Sequence, residues 1–348
     1  ANAILQSRMT ANTVDFKKFE YPHNSQNEDI TTPNDYEFFT AETLKKQSIL
    51  VSKIMPRNGI WVGLHSDEEI LKNKGSLPVM RLLERCYHVS HIRWVTPKGV
   101  VKDVPYVTDL EHGVNDAFCE YVLHGDDLVC DADGKDCYYN VRQENRFLIV
   151  KRTEGVSTTE IIQRILTKSY EDRDDQKECE QFLKDDDELK LLEKLCLDEN
   201  AKTVHCSVFN KSLDNLIVKG NLNIIDTKTI VFYNNKARLF DMFNAGDIEA
   251  LVKVKDNSDK KLIVALNVDN IKCVNSFRER LFSLVSCSVV DGVIINPSLE
   301  MAHNFIEISI DEDSQDRVYG YLTPDLIKER IINSKEVYEA RNKKKLEG

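Results

Sequence analysis

Short apolar runs that alternate with helix-like stretches constrain this chain more than any other feature. In the first half the runs are GIWVGLH (59–65), HIRWV (91–95), YVLHG (121–125) and FLIV (147–150). In the second half they are TIVFYNN (229–235), LIVALNV (262–268) and GVIIN (292–296). Strands that are apolar on both faces have to be covered on both faces, which is the condition of a parallel sheet flanked by helices. Helical signals fill the gaps. Ser66-Asp67-Glu68-Glu69 reads as a capping box opening a helix, and 77–87 and the stretch from Ser157 carry helical periodicity. The predicted fold class is α/β: two tandem Rossmann-like units with parallel sheets, joined by a charged linker.

The boundaries follow composition. Residues 1–170 form the first unit, with an insertion over about 10–55 marked by the apolar-poor PHNSQNEDITTPND and a helical pattern at 41–55. The highly charged 171–222 region, opening with EDRDDQKECEQFLKDDDELKLLEKL, reads as a solvated linker helix. Residues 223–348 repeat the alternation and end in YEARNKKKLEG. The first residues, ANAILQSRM, read as the interior of an amphipathic helix with Ile4, Leu5 and Met9 on one face.

Bulk properties exclude several function classes. A net charge of -11 argues against nucleic-acid binding, which calls for a basic stripe. No apolar run approaches the roughly 20 residues needed to span a bilayer. Nine cysteines without a CxxC pair suggest reduced thiols and a cytoplasmic location, not a zinc knuckle or disulfide framework. His88 and His91 stand three apart, as a metal pair could, but no Asp, Glu or Cys pattern completes a site, so no metal site is expected.

Against this acidic background FLIVKRTEGVSTTEIIQRIL (147–166) stands out: an apolar strand turns basic at Lys151 and Arg152 and then opens a helix. A helix N-terminus carries unpaired N–H groups and partial positive charge, so it receives anions. Gly155 allows close backbone approach, and Arg152 can fork onto phosphate oxygens.

RTEGVST resembles the R-T-x-G-[IV]-S-T signature of the cytidylyltransferases that make CDP-alcohols for phospholipid synthesis. GLHSDEEILKNKG (63–75), PYVTDLE (105–111) and VLHGDDLVCDADGKDCY (122–138) resemble further elements of that family in the same order. HGDD and DGKDCY favour its ethanolamine-phosphate branch, as does the repeated second unit. A choline-phosphate enzyme, or a non-catalytic nucleotide-binding homologue, are the rival readings. The family's H-x-G-H hallmark is missing. The opening ANAILQSR resembles the helix that follows this motif in fungal members, so the expectation is that the motif lies just upstream of Ala1. In the second unit, FDMFNAGD (240–247) matches the same region with Asn244 and Asp247 in place of both histidines.

The resemblance implies displacement at the α-phosphorus of CTP by phosphoethanolamine, with Mg²⁺ on the triphosphate. Lys74, in a mobile KNKG loop, and Arg152 become the catalytic cations. His124, Gly125, Asp126, Asp127, Thr153, Gly155, Val156, Ser157 and Thr158 become the CTP-binding set. Tyr106 and Trp94 become candidates for contacting the amine, although Trp94 alone also reads as a core residue. The implied partners are CTP and phosphoethanolamine, with a homodimer as the candidate assembly.

Overall fold

A computed structural model of the chain describes residues 29–34, 59–108, 119–125, 130–150, 158–198, 201–222, 230–234, 239–256, 260–268, 272–302, 306–307 and 317–340. The first sheet contains β1 (Asp29–Asn34), β2 (Gly59–Leu64), β3 (Val95–Lys102), β4 (Cys119–Gly125) and β5 (Phe147–Val150), in the order β3-β2-β1-β4-β5. All four pairings are parallel. The second sheet contains β6 (Ser207–Asn210), β7 (Leu216–Val218), β8 (Ile230–Asn234), β9 (Lys261–Leu266), β10 (Gly292–Ile295) and β11 (Ile306–Glu307). Its order is β11-β8-β9-β10-β6-β7, and only β7 runs antiparallel to its neighbour. The expected pair of parallel α/β units is therefore present.

Helices form where the chain supplies caps. In α1 (Asp67–Lys74) the Ser66 hydroxyl accepts from the Glu69 N–H at 3.0 Å, and three acidic residues occupy the first turn, facing the positive end of the helix. Gly75 ends it in the left-handed conformation (φ 72°), which costs glycine nothing. KNKG, expected as a loop, is thus the last turn of α1 and its cap. The next helix, α2 (Leu82–Ser90), is closed at its start by Glu84, whose carboxylate accepts from the Arg81 N–H at 2.7 Å. Short α3 (Tyr139–Gln143) precedes β5, and α4 (Thr158–Thr167) follows it.

Three segments depart from the sequence reading. DITTPN, expected within a surface loop, is β1, inserted between β2 and β4. It lacks the apolar run that marks a buried strand, though Ile30, Thr31 and Thr32 are β-branched and favour extended backbone. HIRWV, expected as a strand, is mostly a crossing between the sheets. Ile92 makes an antiparallel bridge to Cys287, the Arg93 N–H donates to the Ser286 carbonyl at 2.9 Å, and strand geometry starts only at Val95. The real β3 was hidden by Pro97 and Gly99. At Gly99 a β-carbon would stand 2.8 Å from the Thr96 carbonyl oxygen, so only glycine fits that irregular stretch.

The third departure is the charged segment. It folds into a 3-10 turn (Ser169–Asp172), α5 (Asp175–Phe182) and α6 (Asp186–Leu195), with Cys179, Phe182, Leu191, Leu192 and Leu195 buried. Both helices pack on α8 (Phe277–Ser286), and β6 and β7 join the second sheet, so 171–222 is part of the second lobe's fabric. Some of its charges find partners in the lobe, Asp175 with Arg280 at 3.2 Å and Glu188 with Arg278 at 2.7 Å, while others such as Asp187 stay exposed. A charge run looks the same in sequence whether its ions are solvated or paired.

The remaining helices are α7 (Ala245–Asp256), α9 (Leu299–Ala302) and α10 (Pro324–Asn333). One continuous apolar cluster runs from Ile60, Leu64 and Trp94 beneath the first sheet to Phe243, Val264 and Leu281 beneath the second. Polar groups also cross it. The Arg93 guanidinium donates through one nitrogen to the carbonyls of Cys287 (2.8 Å) and Val290 (2.7 Å).

His88 sits in the same contact with neither ring nitrogen hydrogen-bonded, its ring edge-on to Phe243 at 5.8 Å. Burial holds its pKa well below the ordinary histidine range, and His91 is shifted the same way by burial, opposed by its bond to the Tyr87 carbonyl. The unfolded chain takes up a proton near pH 6.5 that the folded chain refuses. Stability should therefore fall as pH drops below about 6.5, by up to about 1.4 kcal/mol per pH unit per such histidine. His88→Leu is expected to flatten that slope between about pH 6.5 and 5 in thermal melts; an unaltered slope would refute the assignment.

Candidate active site

In an open parallel sheet, ligands bind beyond the carboxyl ends of the strands, where connections diverge to either side. Here the divergence falls between β1 and β4, because β2 and β3 lie on one side and β5 on the other. His124 and Gly125 are the last residues of β4 and so stand at that point. His65 follows β2, residues 104–108 follow β3, and Thr158 opens α4, the helix after β5.

Bonds tie these ends into one cluster. His65 is fully buried, and its Nδ1 lies 2.9 Å from the Val104 carbonyl, which can only accept, so Nδ1 carries a proton and Nε2 points elsewhere. Its ring meets that of Tyr106 at 5.0 Å. His124 Nδ1 lies 3.2 Å from the Gly125 carbonyl, which assigns the proton in the same way, and its ring lies 4.6 Å from Tyr138. The Thr108 N–H donates to the Cys137 carbonyl at 2.8 Å, joining the β3 side to the β4 side.

Lys74 is drawn in from a different direction. Its neighbour Asn73 accepts from the Ala132 N–H at 3.1 Å, which docks the end of α1 onto the DADGKD turn. That turn is self-braced. Asp131 accepts from the amides of Asp133 (3.0 Å) and Lys135 (2.9 Å), Gly134 takes φ 80°, and Asp136 accepts from the Tyr138 N–H at 2.9 Å. On the other flank, Arg85 donates to the His65 carbonyl (2.9 Å) and to Asp67 (2.7 Å), holding the turn from β2 into α1. Lys74, Tyr106, His124 and Gly125 thus converge on one edge, with Thr158 at the start of the adjoining helix.

Trp94 does not join them. It precedes β3, at the amino end of the sheet, and is 2% exposed within the apolar layer between the lobes. Eight residues of strand separate it from the carboxyl edge, roughly 26 Å at strand rise. Asp126, Asp127, Arg152, Thr153, Gly155, Val156 and Ser157 lie outside the described residues. Among the described residues no group of three or more His, Cys, Asp or Glu side chains is arranged to hold a metal.

Residues 50–164 match the family profile described as Cytidylyltransferase-like. The ethanolamine-phosphate cytidylyltransferase of Saccharomyces cerevisiae is 38% identical over 306 residues, covering 84% of this chain and 88% of that relative. A probable ethanolamine-phosphate cytidylyltransferase of Schizosaccharomyces pombe is 30% identical over 323 residues, 82% of this chain and 86% of its own. By contrast, the choline-phosphate cytidylyltransferase of Saccharomyces cerevisiae aligns over 125 residues at 35% identity, 35% of this chain and 28% of its own. Similarity to the ethanolamine relatives runs through both lobes. The chain belongs to the ethanolamine-phosphate cytidylyltransferase family.

Within this family member the second lobe has put its variant residues to structural use. Asn244 precedes α7, and its side-chain oxygen accepts from the Gly246 N–H at 2.8 Å, while Asp247 accepts from the Asn244 N–H at 3.1 Å. The two side chains therefore cap α7 reciprocally, and both are buried. Asn244→His should remove the capping acceptor, lower stability by about 1 kcal/mol in denaturant titration, and confer no activity on the second lobe. Activity appearing there would show a latent site.

Sequence reading passed over three residues of the edge: His65, Tyr138 and Thr108. All three lie inside matched motifs, and His65 also directly follows a strand. Thr108 is different. It is 1% exposed and its hydroxyl has no hydrogen-bond partner, a state that costs about 1–3 kcal/mol in a buried group. A hydroxyl left open beside Tyr106 and Cys137 is suited to receiving a ligand. Thr108→Val is expected to leave the melting temperature unchanged or higher and to cut kcat/KM by roughly tenfold or more. A fall in stability with unchanged kinetics would exclude the role.

Proposed function

We propose that this chain transfers the cytidylyl group of CTP to phosphoethanolamine, releasing pyrophosphate and CDP-ethanolamine on the way to phosphatidylethanolamine. The observation that carries the reading is the similarity to ethanolamine-phosphate relatives across both lobes, set against a choline-phosphate relative that aligns over 35% of the chain.

In the reaction a phosphate oxygen of phosphoethanolamine attacks the α-phosphorus of CTP. The bond from that phosphorus to the bridging oxygen breaks, and pyrophosphate leaves with the electron pair. Such chemistry asks for positioning and charge neutralisation more than for a covalent nucleophile. Lys74, at the end of α1, supplies a cation for the phosphates. Arg152 with Thr153, Gly155, Val156, Ser157 and Thr158 forms the triphosphate cradle, where the positive end of α4 adds its dipole. His124 and Gly125 line the nucleotide side at the end of β4.

Mg²⁺ fits this edge as a companion of the nucleotide. It binds through triphosphate oxygens, water and one or two carboxylates, and so does not require a preformed cluster of protein ligands. Asp126 and Asp127 are the carboxylates in sequence reach of His124. When bound, the ion screens the triphosphate charge. The enzyme works in the cytoplasm, and among the described residues no helix is long and apolar enough to cross a membrane.

Substrate choice follows from hydrogen bonding. The ammonium of phosphoethanolamine offers three N–H donors, whereas choline's trimethylammonium offers none and is held by aromatic faces. Asp126, Asp127 and the Tyr106 hydroxyl supply acceptors, and a pocket built for donors rejects an analogue that leaves its polar groups unpaired. In competition assays with both phosphoamines at equal concentration, the enzyme expressed from its full reading frame should favour phosphoethanolamine by orders of magnitude in kcat/KM. Comparable yields of CDP-choline would overturn the ethanolamine assignment.

A further inference from the structure

The connection from α1 to α2, residues 75–81, begins immediately after Lys74, and its backbone is held from outside. Four successive carbonyls are engaged. Leu77 accepts from the Tyr338 hydroxyl at 3.1 Å, Pro78 from Arg81 at 3.2 Å, Val79 from Arg330 at 3.0 Å, and Met80 from Arg85 at 3.1 Å. Two of these donors, Arg330 and Tyr338, belong to the second lobe: Arg330 lies in α10 and Tyr338 in the helical turn beyond it.

Arg330 is itself fixed. It forks onto Glu84 with both bonds at 2.8 Å, and Glu84 also accepts from the Tyr321 hydroxyl at 2.8 Å and from the Arg81 N–H at 2.7 Å. Burial opposes the charge on Glu84, yet the bonds from Arg330, Arg81 and Tyr321 hold its pKa below the usual carboxylate value. Tyr338 is 3% exposed, so its hydroxyl is presented by a packed ring. The start of the connection is equally constrained, because Gly75 turns the chain through φ 72° and donates to the Leu71 carbonyl at 2.9 Å. Little freedom is left to the backbone that carries Lys74.

We propose that Arg330 and Tyr338 are positioning residues: the second lobe holds the backbone just beyond Lys74 and so sets where the first lobe's cation stands. The proposal rests on the role given to Lys74 under the proposed function. It assigns the second lobe a part in a reaction for which its own Asn244 and Asp247 are committed to capping. A displacement of about 1 Å at a catalytic group can cost on the order of a hundredfold in rate, so a hydrogen bond three residues from Lys74 has leverage.

The test uses the full-length enzyme with Tyr338→Phe, which deletes only the hydroxyl, and Arg330→Lys, which keeps the charge but not the fork. Amide hydrogen exchange is expected to accelerate over 75–81 in both variants, with the melting temperature close to that of the parent. Turnover should fall by roughly tenfold to a hundredfold, in kcat more than in KM. In a Lys74→Ala background neither change should reduce turnover further. Losses that multiply with that of Lys74→Ala would overturn the proposal, as would unchanged exchange at 75–81 with Lys74→Ala inactive, which leaves the Lys74 assignment standing. A Lys74→Ala enzyme of undiminished turnover would overturn both.

Discussion

The rest of the structure depends on the burial of one apolar layer shared by two parallel sheets. Each sheet needs cover on both faces, and on the inner side the cover is common property. α2 packs against α7, and α4 packs against α10, so helices of one lobe roof the other. Burying each large apolar side chain is worth about 1.5–3 kcal/mol, and the cluster from Ile60 to Leu281 contains many of them. Separating the lobes would expose that layer. The arginines admitted to the contact have partners, as a low-dielectric interior requires of a charge, whereas the His88 ring has none. Arg93 is 5% exposed and donates to main-chain carbonyls, while Arg164 of α4 forks onto Glu279 of α8 with both bonds at 2.7 Å.

That inseparability bears on the site. Two helices of the first lobe, α1 and α4, are each anchored to the second lobe, α1 through the connection that follows it and α4 through Arg164. The second lobe resembles the first in architecture but has spent its corresponding polar positions on its own fold. Asp241 shows the same tendency. It is buried, and burial raises its pKa although the amides of Asn275 and Val274 donate to it, so it serves to fix the turn into α8.

How much of this was legible depends on what kind of signal each element carries. GIWVGL, FLIV, KLIVAL and GVII announce themselves because an apolar run flanked by caps has few other fates. DITTPN could not be read as β1, since its place is decided by neighbours on both sides and not by its own hydrophobicity. The 170–200 segment was misread because paired and solvated charges are identical in sequence. Lys74, His124 and Tyr106 were singled out through motifs, and the topology puts His124 at the carboxyl end of β4 and Tyr106 just beyond that of β3. Trp94 was not excluded until topology put it at the opposite end of β3. Thr108 stood in the same PYVTDLE motif as Tyr106, but its open hydroxyl was not legible: an unsatisfied buried hydroxyl is a property of three-dimensional surroundings.

An acidic chain that handles anionic substrates faces a further constraint. With a net charge of -11 the molecule as a whole repels CTP, yet beyond about 8–10 Å that repulsion is screened at physiological salt. What matters is the field within that distance, which the proposed function draws from the N-terminus of α4, the cation at the end of α1, and imidazoles whose Nδ1 is held by a backbone carbonyl. Oriented dipoles held by backbone bonds need no reorganisation as charge shifts toward the leaving pyrophosphate. Under the proposed function, rigidity at this edge is therefore part of the chemistry, and the interlobe contacts that hold the connection after α1 would serve the reaction as well as the fold.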